Sequence, residues 1–380
     1  MNAWFAAGVF VVVSSLAPAA QTSASRPLRA YVTDTEGGKT VLWITPSGQT
    51  VLVDTGNPGE RDTGRLMEAI RDAGVNQIDF LISTHYHGDH VGGMQELAKR
   101  IPIKAFVDHG PTVEEREQVP GFQAAYKELH AKAQHIVVKP GDRLPVNGVD
   151  LRIVTAAGQS LKTPLTGAGK PNPTCASFTP KDITHDPENG QSVGYVLTFG
   201  RFRAIDLGDL LWNKEYELMC PNNPIGTVDL YMVSHHGTDS SGPPQLVHAL
   251  QPRVAVMQNG ARKGAGAETM PTLRTSPGLE DIWQLHWGLN AGIEQNSAGV
   301  FVANLDGAPA SGAPGGPAAT AAGAPPPGTL PAGAPSGAQT GRGAPPHTPA
   351  YWIKIEAQQD GSFTVSNSRN GYRKTYTNRK

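Results

Sequence analysis

The run His85-Tyr86-His87-Gly88-Asp89-His90 constrains this chain more than any other segment, because it packs four metal-ligating side chains into six residues. Phe80-Leu81-Ile82 before it reads as a buried strand, and Glu96-Leu97-Ala98-Lys99-Arg100 after it reads as a helix. The ligands therefore fall on a tight loop at the carboxyl end of a strand, where open α/β sheets place their chemistry. Imidazole with carboxylate suits zinc, with manganese or iron as alternatives, better than calcium or magnesium. The bland alternative is a polar turn that holds three of the twelve histidines by accident.

The chain of 380 residues is 38% apolar, enough for one large α/β domain or two smaller ones. A formal net charge of −1 does not indicate nucleic acid or an acidic membrane as a partner. Residues 1–20 read as a signal peptide: an apolar run from Phe5 to Val13 is too short for a stable membrane anchor, and Ala17-Pro18-Ala19 has the small-x-small form of a cleavage site. No Lys or Arg precedes the run, a departure from the usual pattern. The expected location is periplasmic or secreted. There, Cys175 and Cys220, both in Pro/Asn-rich loops, are expected to pair as a disulfide.

Residues 28–306 read as the catalytic domain, with strands and helices in alternation. Helices are expected at Arg61–Ala73, Gln123–Gln134, Leu211–Leu218, Pro244–Leu250 and Leu279–Trp287. Between Gly158 and Gln191 lies a long loop, a length that compact domains reserve for function or leave disordered. Residues 307–349 are so rich in Gly, Ala and Pro that they cannot bury a core, and read as a disordered insertion. Residues 350–380 read as a β-hairpin around Asp360-Gly361 and a solvated basic tail that completes the domain.

A two-metal site needs about three protein ligands per ion. Alternation along the motif lets His85 and His87 point one way and Asp89 and His90 the other. Asp209 follows the small Gly208 and can reach in, and so can His235 or His236 after another strand. Taken singly, Asp209 reads as a helix N-cap and the histidine pair as a surface turn.

Four segments together resemble the metallo-β-lactamase-fold hydrolases: Val53-Asp54-Thr55-Gly56, Thr84 to Gly93, Leu207-Gly208-Asp209 and Ser234-His235-His236-Gly237. The resemblance implies a four-layer αββα sandwich, two divalent metal ions and hydrolysis. By that match His85 and His87 hold one ion, Asp89 and His90 the other, and Asp209 bridges. His235 matches the last ligand, with His236 as runner-up, and Asp54 orients a ligand histidine from behind. Two ions lower the pKa of a bridging water toward neutrality, and Asp89 or Asp209 is the expected catalytic carboxylate.

One departure stands out. Many members carry a histidine in a Gly-His-Thr-Pro-Gly-Ser motif before the hairpin that leads to the bridging aspartate. Here the stretch is Pro187-Glu188-Asn189-Gly190-Gln191-Ser192, so Glu188 or His185 substitutes, or the first ion is under-coordinated. Asn followed by Ser, with a His-His-Gly motif, most resembles the extracytoplasmic domain of competence proteins of the DNA-uptake channel, and also surface phosphocholine esterases. Both favour a phosphoester substrate. The alternatives are a lactone, β-lactam or carboxylic ester, a non-catalytic metal-binding module, or a mononuclear iron thiol oxidant. Tyr86, Trp212, His286 and Trp287 are pocket candidates, each with core packing as the plainer role, and His286 is a further ligand candidate.

Overall fold

A computed structural model of the chain describes residues 1, 26–116, 118–183, 185–292, 294–306, 308 and 350–379. The expected leader and the Gly/Ala/Pro tract thus lie, Met1 and Ala308 apart, outside the described residues.

Two nine-stranded sheets form the middle of the molecule. In the first, Leu28–Val32 pairs antiparallel with Val41–Ile44, and that strand with Thr50–Val53. Ile78–Ile82, Ile103–Asp108 and Gln134–Val137 then follow in parallel. In the second, Asp150–Ala156, Gly194–Phe199 and Phe202–Asp206 are antiparallel. Leu230–Met232, Val254–Met257, Asp281–His286 and Val302–Asn304 continue in parallel.

Alternating side chains explain the layers. Val51, Val53, Phe80 and Ile82 of the first sheet share one core with Tyr195, Leu197, Ala204 and Trp283 of the second, so the sheets lie face to face. Leu52 and Leu81 point the other way, onto Leu66, Ala69 and Ile70 of the helix Glu60–Asp72. Val196 and Ile205 point outward onto Leu218, Leu246 and Leu273 of the helices Trp212–Met219, Pro244–Leu250 and Thr269–Arg274. Period-two strands buried on both faces produce a four-layer αββα sandwich. Polar links cross the middle layer: Lys39 Nζ is 2.7 Å from Asp206 Oδ1, both buried, and Trp43 Nε1 donates to Tyr195 OH at 2.8 Å.

Two elements depart from the sequence reading. Leu279–Trp287 was expected as a helix and is instead the strand Asp281–His286. Its apolar spacing imitates a helical stripe because a strand inside a sandwich is apolar on both faces: Ile282 faces one core, Trp283 and Leu285 the other. The basic tail is not wholly solvated. Arg373–Tyr376 forms an edge strand beside Phe363–Asn367, and Tyr376 OH donates to Asp281 Oδ2 at 2.6 Å while accepting from Trp283 Nε1 at 2.9 Å. The long loop after Ser160 is pinned by a Cys175–Cys220 disulfide that joins residues 45 apart.

Candidate metal centre

The candidate ligands come from loops at the carboxyl ends of neighbouring strands. Asp54 follows Thr50–Val53, the histidine motif follows Ile78–Ile82, Asp209 follows Phe202–Asp206, and His235 and His236 follow Leu230–Met232. Gly208 adopts φ 60°, and a Cβ there would lie 2.9 Å from Thr84 and 3.1 Å from Ser192. Glycine therefore lets Asp209 pass close to the first motif.

Four donors converge. His90 Nε2 lies 3.1 Å from Asp209 Oδ2, 3.4 Å from Asp89 Oδ2 and 3.3 Å from His236 Nε2. His236 Nε2 lies 3.2 Å from the Oδ2 atoms of both aspartates. The opposite faces of the rings fix the tautomers. His90 Nδ1 is 2.8 Å from Asp54 Oδ2, and His236 Nδ1 is 3.1 Å from the Gln258 carbonyl oxygen. Both acceptors take an Nδ1–H, so both Nε2 lone pairs face inward, toward each other and toward two carboxylates. Such an arrangement is repulsive without a cation between. Ligands about 2.0 Å from a tetrahedral zinc stand about 3.3 Å apart, and the separations above match that edge. The donor set therefore fits a divalent ion.

Charge agrees with geometry. Burial raises the Asp89 carboxyl, but Lys263 and His90 outweigh it and hold Asp89 well below the usual range. Asp209 is likewise raised by burial and pulled well below by His236, His90 and His235. Burial opposes a charge on His90, yet Asp209, Asp89 and Asp54 lift it well above an ordinary histidine. The field that favours a proton on Nε2 favours a metal cation in its place.

Beside this group, His85 is fully buried with its Nδ1 3.1 Å from Thr84 Oγ1. Thr84 Oγ1 gives its own hydrogen to Asp54 at 2.7 Å, so it accepts from His85. His85 Nε2 is then a bare lone pair, and it has no hydrogen-bond partner among the described residues; neither has Asp209 Oδ1. Burial, with His90 and His87 nearby, keeps His85 well below its ordinary pKa. The His87 ring stands edge-on to His85 with centroids 4.6 Å apart, and its Nε2 is 2.9 Å from Glu114 Oε2.

The structure separates the histidine pair. His236, the runner-up, enters the four-donor group, whereas His235 Nε2 stands 3.5 Å from Asp209 Oδ2 at its margin. Two successive left-handed residues, φ 51° and 57°, turn the chain so that the second ring faces in. His235 is held from behind by Ser240 and Ser241 Oγ, at 3.1 and 3.2 Å from Nδ1, and burial depresses it to about 4.

Glu188 stays outside the donor group. Its carboxylate accepts from Thr112 Oγ1 (2.6 Å), His109 Nε2 (2.9 Å), Val113 N (3.1 Å) and Tyr86 N (3.2 Å). Burial raises it, but these partners bring it below the ordinary range. Asn189, the next residue, faces His235 instead, Nδ2 to Nε2 at 3.5 Å. His185 is half-exposed beside Asp186. His286 lies in a separate buried group with Asp34 and Glu36, its Nε2 2.6 Å from Asp34 Oδ1, and Arg65 pairs with both acids. Tyr86 is core-packed with its hydroxyl on the Gly110 carbonyl, and Trp287 is buried. Trp212 is half-buried, with Lys181 Nζ 3.8 Å from its ring centre. Sequence reasoning missed Glu114, Gln258 and Lys263, whose ammonium contacts Asp89. None belongs to a local motif.

Residues 34–181 match the Metallo-beta-lactamase superfamily. The chain is 27% identical over 197 residues to ComE operon protein 3 of Bacillus subtilis, covering 51% of this chain and 22% of that protein. It is 23% identical over 229 residues to Competence protein ComA of Neisseria gonorrhoeae, covering 60% and 26%. The chain thus spans about a quarter of the length of these two relatives. A UPF0173 metal-dependent hydrolase of Cupriavidus necator is 26% identical over 263 residues, 63% of this chain and 79% of that protein. The histidine motif lies inside the matched residues and the αββα frame surrounds it, so the chain carries a domain of the metallo-β-lactamase superfamily and is similar to metal-dependent hydrolases.

Proposed function

We propose that the protein is a secreted two-metal hydrolase of phosphoesters. One ion would be held by Asp89, His90, Asp209 and His236, and the second by His85 and His87 together with Asp209. The observation that carries this reading is the facing pair of Nε2 lone pairs, 3.3 Å apart, with the bare His85 Nε2 and Asp209 Oδ1 beside it. The donor types suit zinc, with manganese or iron as alternatives. Two such ions supply an activated water near neutral pH and polarise the ester oxygen. Asp54 and the Gln258 carbonyl hold His90 and His236 in the tautomer that binds. Asp89 and Asp209, ionised at neutral pH, are placed to take a proton.

Lys263 at Asp89 and Arg116 beside His87 flank the donors with positive charge, which suits an anionic ester. The near-zero net charge speaks for a small phosphoester ahead of a nucleic acid as substrate. The disulfide supports an oxidising compartment. Among the described residues no helix is long and apolar enough to cross a membrane.

The test is hydrolysis of bis(p-nitrophenyl) phosphate by the zinc- or manganese-loaded protein. Turnover is expected, and Asp209→Ala should lower it by about 10²-fold or more. A metal-loaded protein that leaves the diester intact but opens a lactone or β-lactam would move the assignment to those substrates.

A further inference from the structure

The second ion lacks the histidine that many superfamily members contribute before the bridging aspartate, and the residue in its place, Glu188, is turned away. What Glu188 does is informative. It binds the loop after Ile103–Asp108 at His109, Thr112 and Val113, and binds the histidine motif at Tyr86 N. The next residue on that loop is Glu114, whose backbone N–H donates to Thr112 Oγ1 at 3.1 Å. Glu114 is almost fully buried, and its Oε2 lies 2.9 Å from His87 Nε2.

Two chemistries could place a carboxylate there. If both groups were ligands of one zinc ion, they would stand about 3.3 Å apart. The observed 2.9 Å has the length of a charge-assisted hydrogen bond, which an Nε2–H tautomer of His87 donates to the carboxylate. Arg116 NH2 is 3.1 Å from the same nitrogen but can only donate, so it makes no hydrogen bond to an Nε2–H; it pairs instead with Asp186 Oδ1 at 3.0 Å and with the Glu114 carboxylate, whose charge it balances. A ring that carries its proton on Nε2 keeps Nδ1 bare. Asp54 does for His90 the mirror image of this, taking the Nδ1 proton and freeing Nε2.

We infer that Glu114 is a positioning residue for the second metal ion, fixing the tautomer and orientation of His87, and that Glu188 braces the loop that presents it. Support for His87 from an acid on a different loop thus compensates for the missing histidine. This rests on the two-metal reading, not on any substrate.

The experiment titrates the chelator-stripped full chain with zinc against a chromophoric chelator, reading stoichiometry and both affinities. The wild type should take two ions. Glu114→Gln should still take two, one of them about 10- to 100-fold more weakly, with the melting temperature of the stripped protein unchanged. Glu188→Gln, which leaves His87 untouched, should weaken the same ion less. In a His87→Ala background, Glu114→Gln should add nothing. Unchanged affinities in Glu114→Gln would overturn the inference. So would its binding one ion while His87→Ala keeps two, which would make Glu114 a direct ligand. Equal weakening of both ions with a lower melting temperature would show a structural role instead. A wild type that takes one ion overturns the two-metal reading and this inference with it.

Discussion

At the residue scale the site is built from pairs, a donor facing inward and the group that fixes it from behind. His90 has Asp54, His236 has the Gln258 carbonyl, and His85 has Thr84. Glu215, by contrast, is a buried carboxyl with no ion-pair partner among the described residues. Glu215 accepts from Gly242 N at 2.6 Å, and burial pushes its carboxyl from 4.5 up to about 8. A folded-state pKa above the unfolded value means the folded chain binds the extra proton. The stability this contributes is whole below about pH 4.5 and is lost as pH rises through about 8. Glu215→Gln should therefore melt higher than the wild type by pH 8, the gap growing from pH 5 to 8 and amounting to a few kcal/mol at most. Melting temperatures across that range, parallel in the two proteins, would show that the carboxyl titrates normally.

At the element scale, strand ends carry the donors and the turns after them set the reach. The first motif was legible because strand, ligands and helix are contiguous, so its spacing alone declares a metal. Asp209 was legible through the glycine before it. The choice between His235 and His236 was not, because it turns on two consecutive left-handed residues that the letters do not specify. Nor was the strand at Asp281–His286, where burial on both faces erased the period that separates strand from helix. Gly208 offers a direct test of turn geometry. At φ 60° and with Thr84 and Ser192 about 3 Å from any added Cβ, Gly208→Ala should cost about 1–3 kcal/mol. It should also weaken zinc binding, since Asp209 moves with it. Chemical denaturation and zinc titration of the variant measure the two effects, and a wild-type value for either would exclude the crowding.

For the molecule as a whole, the two sheets must hold their carboxyl edges together for His90 and His236 to meet. The shared core, the buried Lys39–Asp206 pair and the Trp43–Tyr195 hydrogen bond do this. The disulfide ties the long loop to the end of the helix Trp212–Met219, closing a segment of 45 residues. Chain-entropy reasoning gives such a closure at most about 4 kcal/mol. Cys220→Ser should lose stability up to that amount in urea melts, and thiol reductant should reproduce the loss in the wild type only. The sequence by itself determined the class of chemistry, because local spacing of imidazoles and carboxylates needs no fold to be read. It also determined the layered α/β architecture, because alternation between strand and helix periods is a local property. Tertiary structure alone decided which nitrogen of each histidine faces in, that His236 and not His235 joins the four donors, that Glu188 braces and Glu114 contacts. Apart from the left-handed turn at His235-His236 and the Thr84–His85 contact, each of those depends on a hydrogen bond between residues far apart in the chain, and no local pattern encodes a contact whose two halves meet only when the sheets pack.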